Sequence, residues 1–329
     1  MITGLLSIVI PTYNSERFIF NNLQKIYSAL ENRQENFEII IIDDGSSDKT
    51  SQELLRFYQK NYSKNITLIP LRHLKNKGQG RATLSGFQVA QGEYVATLDD
   101  DNEYSVSDLL RGFDFIREDP FTDCYIGYFK KKDRGPLREF ISNSRPFINK
   151  YLLGVRGDIH FTALRVMRHS LAQQMGKCNL SSVFIGPLLN ENAGALKNFI
   201  CQRNKSVRES NYGFKKLLKT TIQTIFFSTD KPLNLIIYFS FFIFICSLGI
   251  IGYNLIKYFV TERFLPGYTS LISIILFGTS IITLLISLLG TYLKILFRTN
   301  MHGTENTKRY FENLESRLNV THSHVRRVK

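Results

Sequence analysis

The chain has 329 residues, 43% hydrophobic and 21% charged, which excludes a disulfide-stapled miniprotein and wholesale disorder. Its 42 Lys and Arg against 28 Asp and Glu leave a net charge of +14, a balance that calls for an anionic partner or surface. Four scattered cysteines (Cys124, Cys178, Cys201, Cys246) form no C-x-x-C pair, so neither a zinc site nor a disulfide framework is expected and a reducing compartment fits.

The first expected element is an apolar run at 5–10 that ends at Pro11, as a buried parallel strand would. It is too short for the apolar stretch of a cleavable leader. A helix is expected over 16–32 and a second strand over 37–43. The next helix opens within 44–50, with Ser46 and Ser47 as its caps and Asp48 at its positive end. A third strand covers 65–71. Gly78-Gln79-Gly80 then leads into a helix at 81–90 that Gly92 would stop, and a fourth strand covers 94–99. Strands alternating with helices in this way imply an α/β domain with a doubly wound, mostly parallel sheet. Ligands of such sheets lie beyond the carboxyl ends of the strands.

Three polar clusters fall at those ends: Pro11-Thr12-Tyr13-Asn14, Asp43-Asp44-Gly45-Ser46 and Asp99-Asp100-Asp101-Asn102. Carboxylates gathered at one spot repel and need a cation. Alternating Asp99 and Asp101 can offer oxygens to one Mg²⁺ or Mn²⁺, hard cations that also hold diphosphates.

Further on, 232–256 and 264–293 carry no charged residue. Each exceeds the roughly 20 apolar residues that a helix needs to cross a bilayer. The link between them is short, so they form an antiparallel hairpin with both chain ends on one side. Lys215, Lys216, Lys219 and Lys231 precede the first span, and Lys294, Arg298, Lys308 and Arg309 follow the second. Positive residues favour the inner side, so both termini are expected in the cytoplasm of a multi-pass protein of the cell membrane.

PTYN at 11–14, IIIDDGSSDKT at 40–50, NKGQGRATLSGFQVAQGEYVATLDDD at 76–101 and the hairpin together resemble the family 2 inverting glycosyltransferases. More narrowly, they resemble the membrane-bound polyprenyl-phosphate glycosyltransferases, the group of dolichol-phosphate mannose synthase and the undecaprenyl-phosphate sugar transferases. The resemblance covers nearly the whole chain. It implies a GT-A fold: a catalytic domain at 1–212, a juxtamembrane amphipathic helix at 213–231, a transmembrane hairpin at 232–297 (spans about 233–257 and 268–295) and a basic tail at 298–329.

It also implies roles. Pro11 and Tyr13 would line the nucleotide pocket, and Asp43 or Asp44 would hydrogen-bond the base or the ribose. Asp99 and Asp101 would hold the metal as the D-x-D, with Asp101 counted as catalytic and Asp100 near the sugar. The helix at 137–153 mixes aromatic, aliphatic and basic residues, which suits an interfacial helix on anionic lipid. Asp158 after it would align or deprotonate the acceptor phosphate. Lys130, Arg165, Arg168, Lys205 and Arg208 are the candidates for phosphate pairing.

The sequence departs from the family in places. KSVRESNY at 205–212 carries Lys205 where Arg is usual and Arg208 where Gly is usual; Asn102-Glu103 follows the D-x-D; Ser15 replaces a frequent acid; and Lys130–Lys132 stand where an arginine is often found. The implied partners are a nucleotide-sugar, polyprenyl phosphate and the lipid bilayer. No nucleic-acid module is present, and oligomeric state is open, a homo-oligomer included. A processive polysaccharide synthase is excluded because its Q-x-x-R-W motif needs tryptophan, of which the chain has none. The alternative kept is a membrane-anchored glycosyltransferase that extends a lipid-linked glycan at a sugar hydroxyl.

Overall fold

A computed structural model describes residues 2–130, 159–178, 183–204, 231–261, 267–300 and 312–313. They divide into two units, described separately: an α/β domain and a pair of long apolar helices.

The α/β domain begins as expected. Strand β1 (Ile2–Thr12) leads through a loop to α1 (Ile19–Glu31), β2 (Phe37–Asp43), α2 (Thr50–Lys60), β3 (Ile66–Arg72), α3 (Gln79–Val89) and β4 (Gly92–Thr97). Every residue of β2 is buried, which explains its run of four isoleucines, Ile39 to Ile42. Helix α1 buries Ile19, Leu23, Ile26, Tyr27 and Leu30, one stripe at helical spacing. Leu6, Ile8, Ile10, Ile39 and Ile41 meet that stripe in the main core, each buried aliphatic contributing about 1.5–3 kcal/mol. Two local expectations change. Ser46 and Ser47 do not cap α2; Asp48 reaches its first turn, accepting from the Thr50 N–H at 3.0 Å. Gly92 does not stop α3 but opens β4, since α3 already ends at Val89.

The chain continues through α4 (Val106–Glu118), capped by Ser105, whose hydroxyl accepts from the Asp108 N–H, and then β5 (Cys124–Phe129). After 159 come β6 (Arg165–Arg168), α5 (His169–Gly176), α6 (Ile185–Asn192) and β7 (Leu196–Cys201). A two-residue strand, β8 (Glu312–Asn313), pairs with Leu71 and Arg72 of β3.

The sheet order is β7-β5-β6-β4-β1-β2-β3-β8. The pairs β1/β2, β1/β4, β2/β3 and β5/β7 are parallel. Strand β6 runs antiparallel between β4 and β5, so the sheet is mostly and not wholly parallel. This inversion has a use: it starts β6 at the edge where β4 ends, with Arg165 beside Thr97.

In the second unit, α7 (Lys231–Thr261) and α8 (Gly267–Asn300) pack together, with Phe244 and Phe277 rings 5.4 Å apart. Asn234–Lys257 and Ser273–Leu293 are long and apolar enough to cross a membrane. Buried Ser240, Ser247, Ser280 and Ser287 donate to carbonyls of their own helix one turn back, which satisfies hydroxyls in an apolar setting. Most other apolar side chains of the pair face outward, as lipid contact requires.

Candidate active site

Parallel register aligns Pro11 with Ile42 and Thr12 with Asp43, so the loops after β1 and β2 leave the sheet side by side. They are stitched together. The Asn14 N–H donates to Ser46 Oγ at 2.9 Å, the Ser47 N–H to Asn14 Oδ1 at 3.0 Å and the Ser15 N–H to Thr50 Oγ1 at 2.7 Å. Asn14 takes a left-handed backbone (φ 50°), which asparagine tolerates better than most residues.

The two carboxylates at the end of β2 turn inward. Asp43 is fully buried; it accepts from the Ser46 N–H at 2.9 Å and the Ser51 hydroxyl, and Arg72 Nε lies 3.7 Å away. Asp44 holds the loop after β3: its Oδ1 meets His73 Nδ1 at 2.7 Å and the Lys77 N–H at 2.9 Å, and its Oδ2 takes the Gly78 N–H at 2.7 Å. His73 Nε2 lies 3.0 Å from Ser85 Oγ. Gly45, at φ +70°, permits this closeness, because a Cβ there would stand 2.6 Å from the Lys75 carbonyl carbon. Asp43 and Asp44, expected at the base or ribose, hold these loops, and neither lines the cleft that the loops border.

That cleft encloses about 440 Å³. Pro11, the 77–81 loop, Thr97, Leu98, Asp99, Arg165 and residues 183–185 line it. Tyr13 does not line it and is 39% exposed. Gly80 packs against the opposite wall so tightly that an added Cβ would lie 2.0 Å from the Val183 carbonyl oxygen.

The acidic triplet splits three ways. Asp99 stands on the cleft wall and accepts from Gln79 Nε2 at 2.6 Å. Burial first, then the charges of Asp101 and Asp100, push its carboxyl up to about 7, while Arg165 pulls the other way. Asp100 is buried beneath the β1 loop, accepting from Thr12 Oγ1 at 2.7 Å and from the Ser15 hydroxyl, with Asn22 donating to its carbonyl. It therefore anchors the loop and does not line the cleft. Asp101 accepts from the Glu103 N–H at 3.0 Å, in a turn where Asn102 is left-handed (φ 58°). Glu103 in turn pairs with Arg203 at 2.5 Å.

Among the described residues, no group of three or more His, Cys, Asp or Glu side chains is placed to hold a metal ion. The donor set still fits a divalent cation. Asp99 and Asp101 are hard oxygen donors, and the neighbouring charge of Asp101 disfavours the charged form of Asp99, which a cation would relieve.

Arg165 and Arg168 lie three apart on one strand and so face opposite ways. Arg165 turns into the cleft. Arg168 donates to the Thr122 carbonyl at 3.1 Å and the Asp119 carbonyl at 2.8 Å, tying down the turn before β5, and it does not line this cleft. Lys130 is exposed just past β5. Asp158, Lys205, Arg208, Lys131 and Lys132 lie outside the described residues, as does the expected helix at 137–153. Two residues of the site went unread in the sequence. Gln79 was seen only as a lead into α3, and its partner Asp99 is twenty positions away. His73, a single histidine after a strand, gave no signal.

The sequence profile of glycosyl transferase family 2 matches residues 7–176. The undecaprenyl-phosphate 4-deoxy-4-formamido-L-arabinose transferase of Aeromonas hydrophila is 27% identical over 70% of each chain. The CsbB protein of Bacillus subtilis is 26% identical over 88% of this chain and 87% of that protein. A solved mannosyltransferase from Pyrobaculum calidifontis, in complex with GDP-Man and Mn²⁺, gives a TM-score of 0.49 at 17% identity, covering 68% of this chain and 63% of that one.

Proposed function

This chain belongs to glycosyl transferase family 2, and on that premise we propose that it moves a sugar from a UDP- or GDP-linked donor onto a polyprenyl phosphate. The anomeric carbon inverts in a single displacement. The carrying observation is Asp99, a carboxylate on the wall of a cleft at the carboxyl edge of β1 and β4, facing the start of α3 and Arg165. The acceptor assignment is supported by relatives named undecaprenyl-phosphate transferases.

Pro11 and Leu98 bound the donor's side of the cleft, with Tyr13 at its outer margin. Asp43 and Asp44 act on the donor at one remove, through the loops they hold. Mg²⁺ or Mn²⁺ on Asp99 and Asp101 would supply Lewis-acid charge neutralisation to the departing nucleoside diphosphate. Gln79 fixes the Asp99 carboxylate, so its orientation is set before the donor arrives. Lys130, Lys205 and Arg208 hold the acceptor anion, and Asp158 aligns it. A phosphate monoester is already largely anionic at neutral pH, its second pKa being about 6, so Asp158 has more to do in positioning than in proton removal. The hairpin anchors the domain at the cytoplasmic face, where the lipid phosphate is presented and where the +14 charge meets anionic lipid.

The test uses full-length protein in detergent with Mg²⁺ or Mn²⁺, undecaprenyl phosphate and a panel of UDP- and GDP-sugars. Nucleoside diphosphate release and the mass of the lipid product are read. Release that requires metal and lipid phosphate, and that disappears in Asp101→Ala, is the expected result. Turnover only on a lipid-linked saccharide would replace this reading with glycan extension at a sugar hydroxyl.

A further inference from the structure

The geometry points to Arg165 as the side chain that grips the donor's diphosphate, in preference to the acceptor phosphate, an inference that rests on the donor-cleft reading above. Arg165 opens β6, and antiparallel pairing sets it opposite Thr97, two residues before Asp99. Its side chain lines the cleft together with Thr97 and Asp99. The guanidinium is weakly held there. Nη1 makes one long contact, 3.4 Å, to Thr97 Oγ1, and that hydroxyl already donates to the Ala163 carbonyl at 2.5 Å. Nε is buried with no hydrogen-bond partner.

A buried guanidinium Nε that lacks a partner among the described residues is uncommon, because burying an unpaired polar group is unfavourable. Turning the fork a short way into the cleft would present Nε and one terminal nitrogen together, the bidentate geometry that phosphate oxygens accept. The opposite wall is also suited to an anion. Helix α3 starts at Gln79 with no side-chain cap, and the N–H groups of Gln79 and Gly80 have no partner inside the helix. Both residues line the same cleft. An anion between the two walls satisfies all of these donors. It would also lie next to Asp99, where only an anion carrying its own divalent cation escapes repulsion, and a nucleoside diphosphate is such an anion.

The test compares wild type, Arg165→Gln and Arg165→Lys as full-length proteins in detergent with Mg²⁺. Calorimetry gives affinities for UDP, GDP and the uncharged nucleosides, and steady-state assays give the KM for undecaprenyl phosphate. Arg165→Gln should weaken binding of the preferred nucleoside diphosphate about ten- to a hundred-fold, with Arg165→Lys between it and wild type. Nucleoside affinity and lipid-phosphate KM should stay within about twofold, which a merely structural role of Arg165 would not allow. Unchanged diphosphate affinity with a raised lipid-phosphate KM would move Arg165 to the acceptor and overturn the inference. Equal losses for nucleoside and nucleoside diphosphate would also overturn it, by showing a collapsed cleft. Wild type that binds neither UDP nor GDP would bring down the donor-cleft reading itself.

Discussion

Asp44→Asn tests the idea that the carboxylates after β2 build the cleft from behind. Asp44 Oδ1 takes two partners, His73 Nδ1 at 2.7 Å and the Lys77 N–H at 2.9 Å, and Oδ2 takes the Gly78 N–H at 2.7 Å. Asparagine has the same shape but one acceptor oxygen and no charge. If that oxygen takes the Oδ1 place, the new NH₂ points at the Gly78 N–H; if it flips, the NH₂ faces His73 and Lys77. Either way a buried donor confronts a donor. A hydrogen bond to a charged group contributes about 1.5–3 kcal/mol, and a buried orphan costs about 1–3 kcal/mol. One lost bond plus weakening of the others comes to about 3 kcal/mol. In a domain of this size that is a fall of about 6–12 °C in Tm. Lys77 and Gly78 line the cleft, so the donor KM should rise with it. Tyrosine fluorescence follows the melt without interference, since the chain has no tryptophan. Asp44→Asn with an unchanged melt would refute the assignment, and a raised donor KM beside that unchanged melt would return Asp44 to direct contact with base or ribose.

Gly80→Ala should cost about 1–3 kcal/mol of stability through overpacking, lowering Tm, and raise the donor KM, because its Cβ would stand 2.0 Å from the Val183 carbonyl oxygen and that backbone must move. Asp100→Asn and Asp101→Ala should differ in kind: the first lowers Tm through loss of the Thr12 and Ser15 contacts while leaving the metal concentration for half-maximal activity near wild type, and the second abolishes turnover. A shifted metal requirement in Asp100→Asn would contradict the placement of that side chain. Asp119→Asn probes pH. Lys197 at 2.6 Å, Thr122 at 2.7 Å and Tyr125 at 2.9 Å hold the Asp119 carboxyl below the usual carboxylate range. A depressed folded pKa stabilises above the unfolded value of about 4 and is lost as pH falls through the folded value. The variant's Tm should therefore trail wild type at pH 7 and converge with it below pH 4; a gap that persists in acid would assign the effect to packing.

The fold was legible where apolar residues run together. The runs at 37–43 and 65–71 match β2 and β3 to within a residue, because β2 is buried along its length and carries four successive isoleucines, and β3 carries Ile66, Leu68, Ile69 and Leu71. Strand β6 escaped for the converse reason. Arg-Val-Met-Arg is four residues long, begins and ends on a charge, and owes its place to partners on β4 and β5 that are far away in sequence. Missing β6 also hid the antiparallel step in the sheet.

The acidic triplet shows where reading a site from sequence stops. Strand alternation would place Asp99 and Asp101 on one face and Asp100 on the other, and of the three only Asp99 lines the cleft. Yet β4 ends at Thr97, so alternation is not what separates them. What separates them is competition for donors. The β1 loop brings two hydroxyls, Thr12 and Ser15, to one place, and the carboxylate that reaches them is bound and leaves the cleft. The same competition removes Asp43 and Asp44, whose takers are Ser46, Ser51, His73 and the Lys77 and Gly78 amides. Five carboxylates stand at the carboxyl edge in the sequence, and three are consumed by loop donors supplied by other segments. Asp99 remains in the cleft because the segments around it offer a single neutral amide, from Gln79, and the long-range charge of Arg165. Among the described residues, a carboxylate with so few donors beside a guanidinium whose Nε has no acceptor is a local mismatch that folding did not resolve. Binding a cation with its diphosphate resolves both halves at once, which is the physical reason to seek the chemistry at this pair and not at the better-bonded acids beside it.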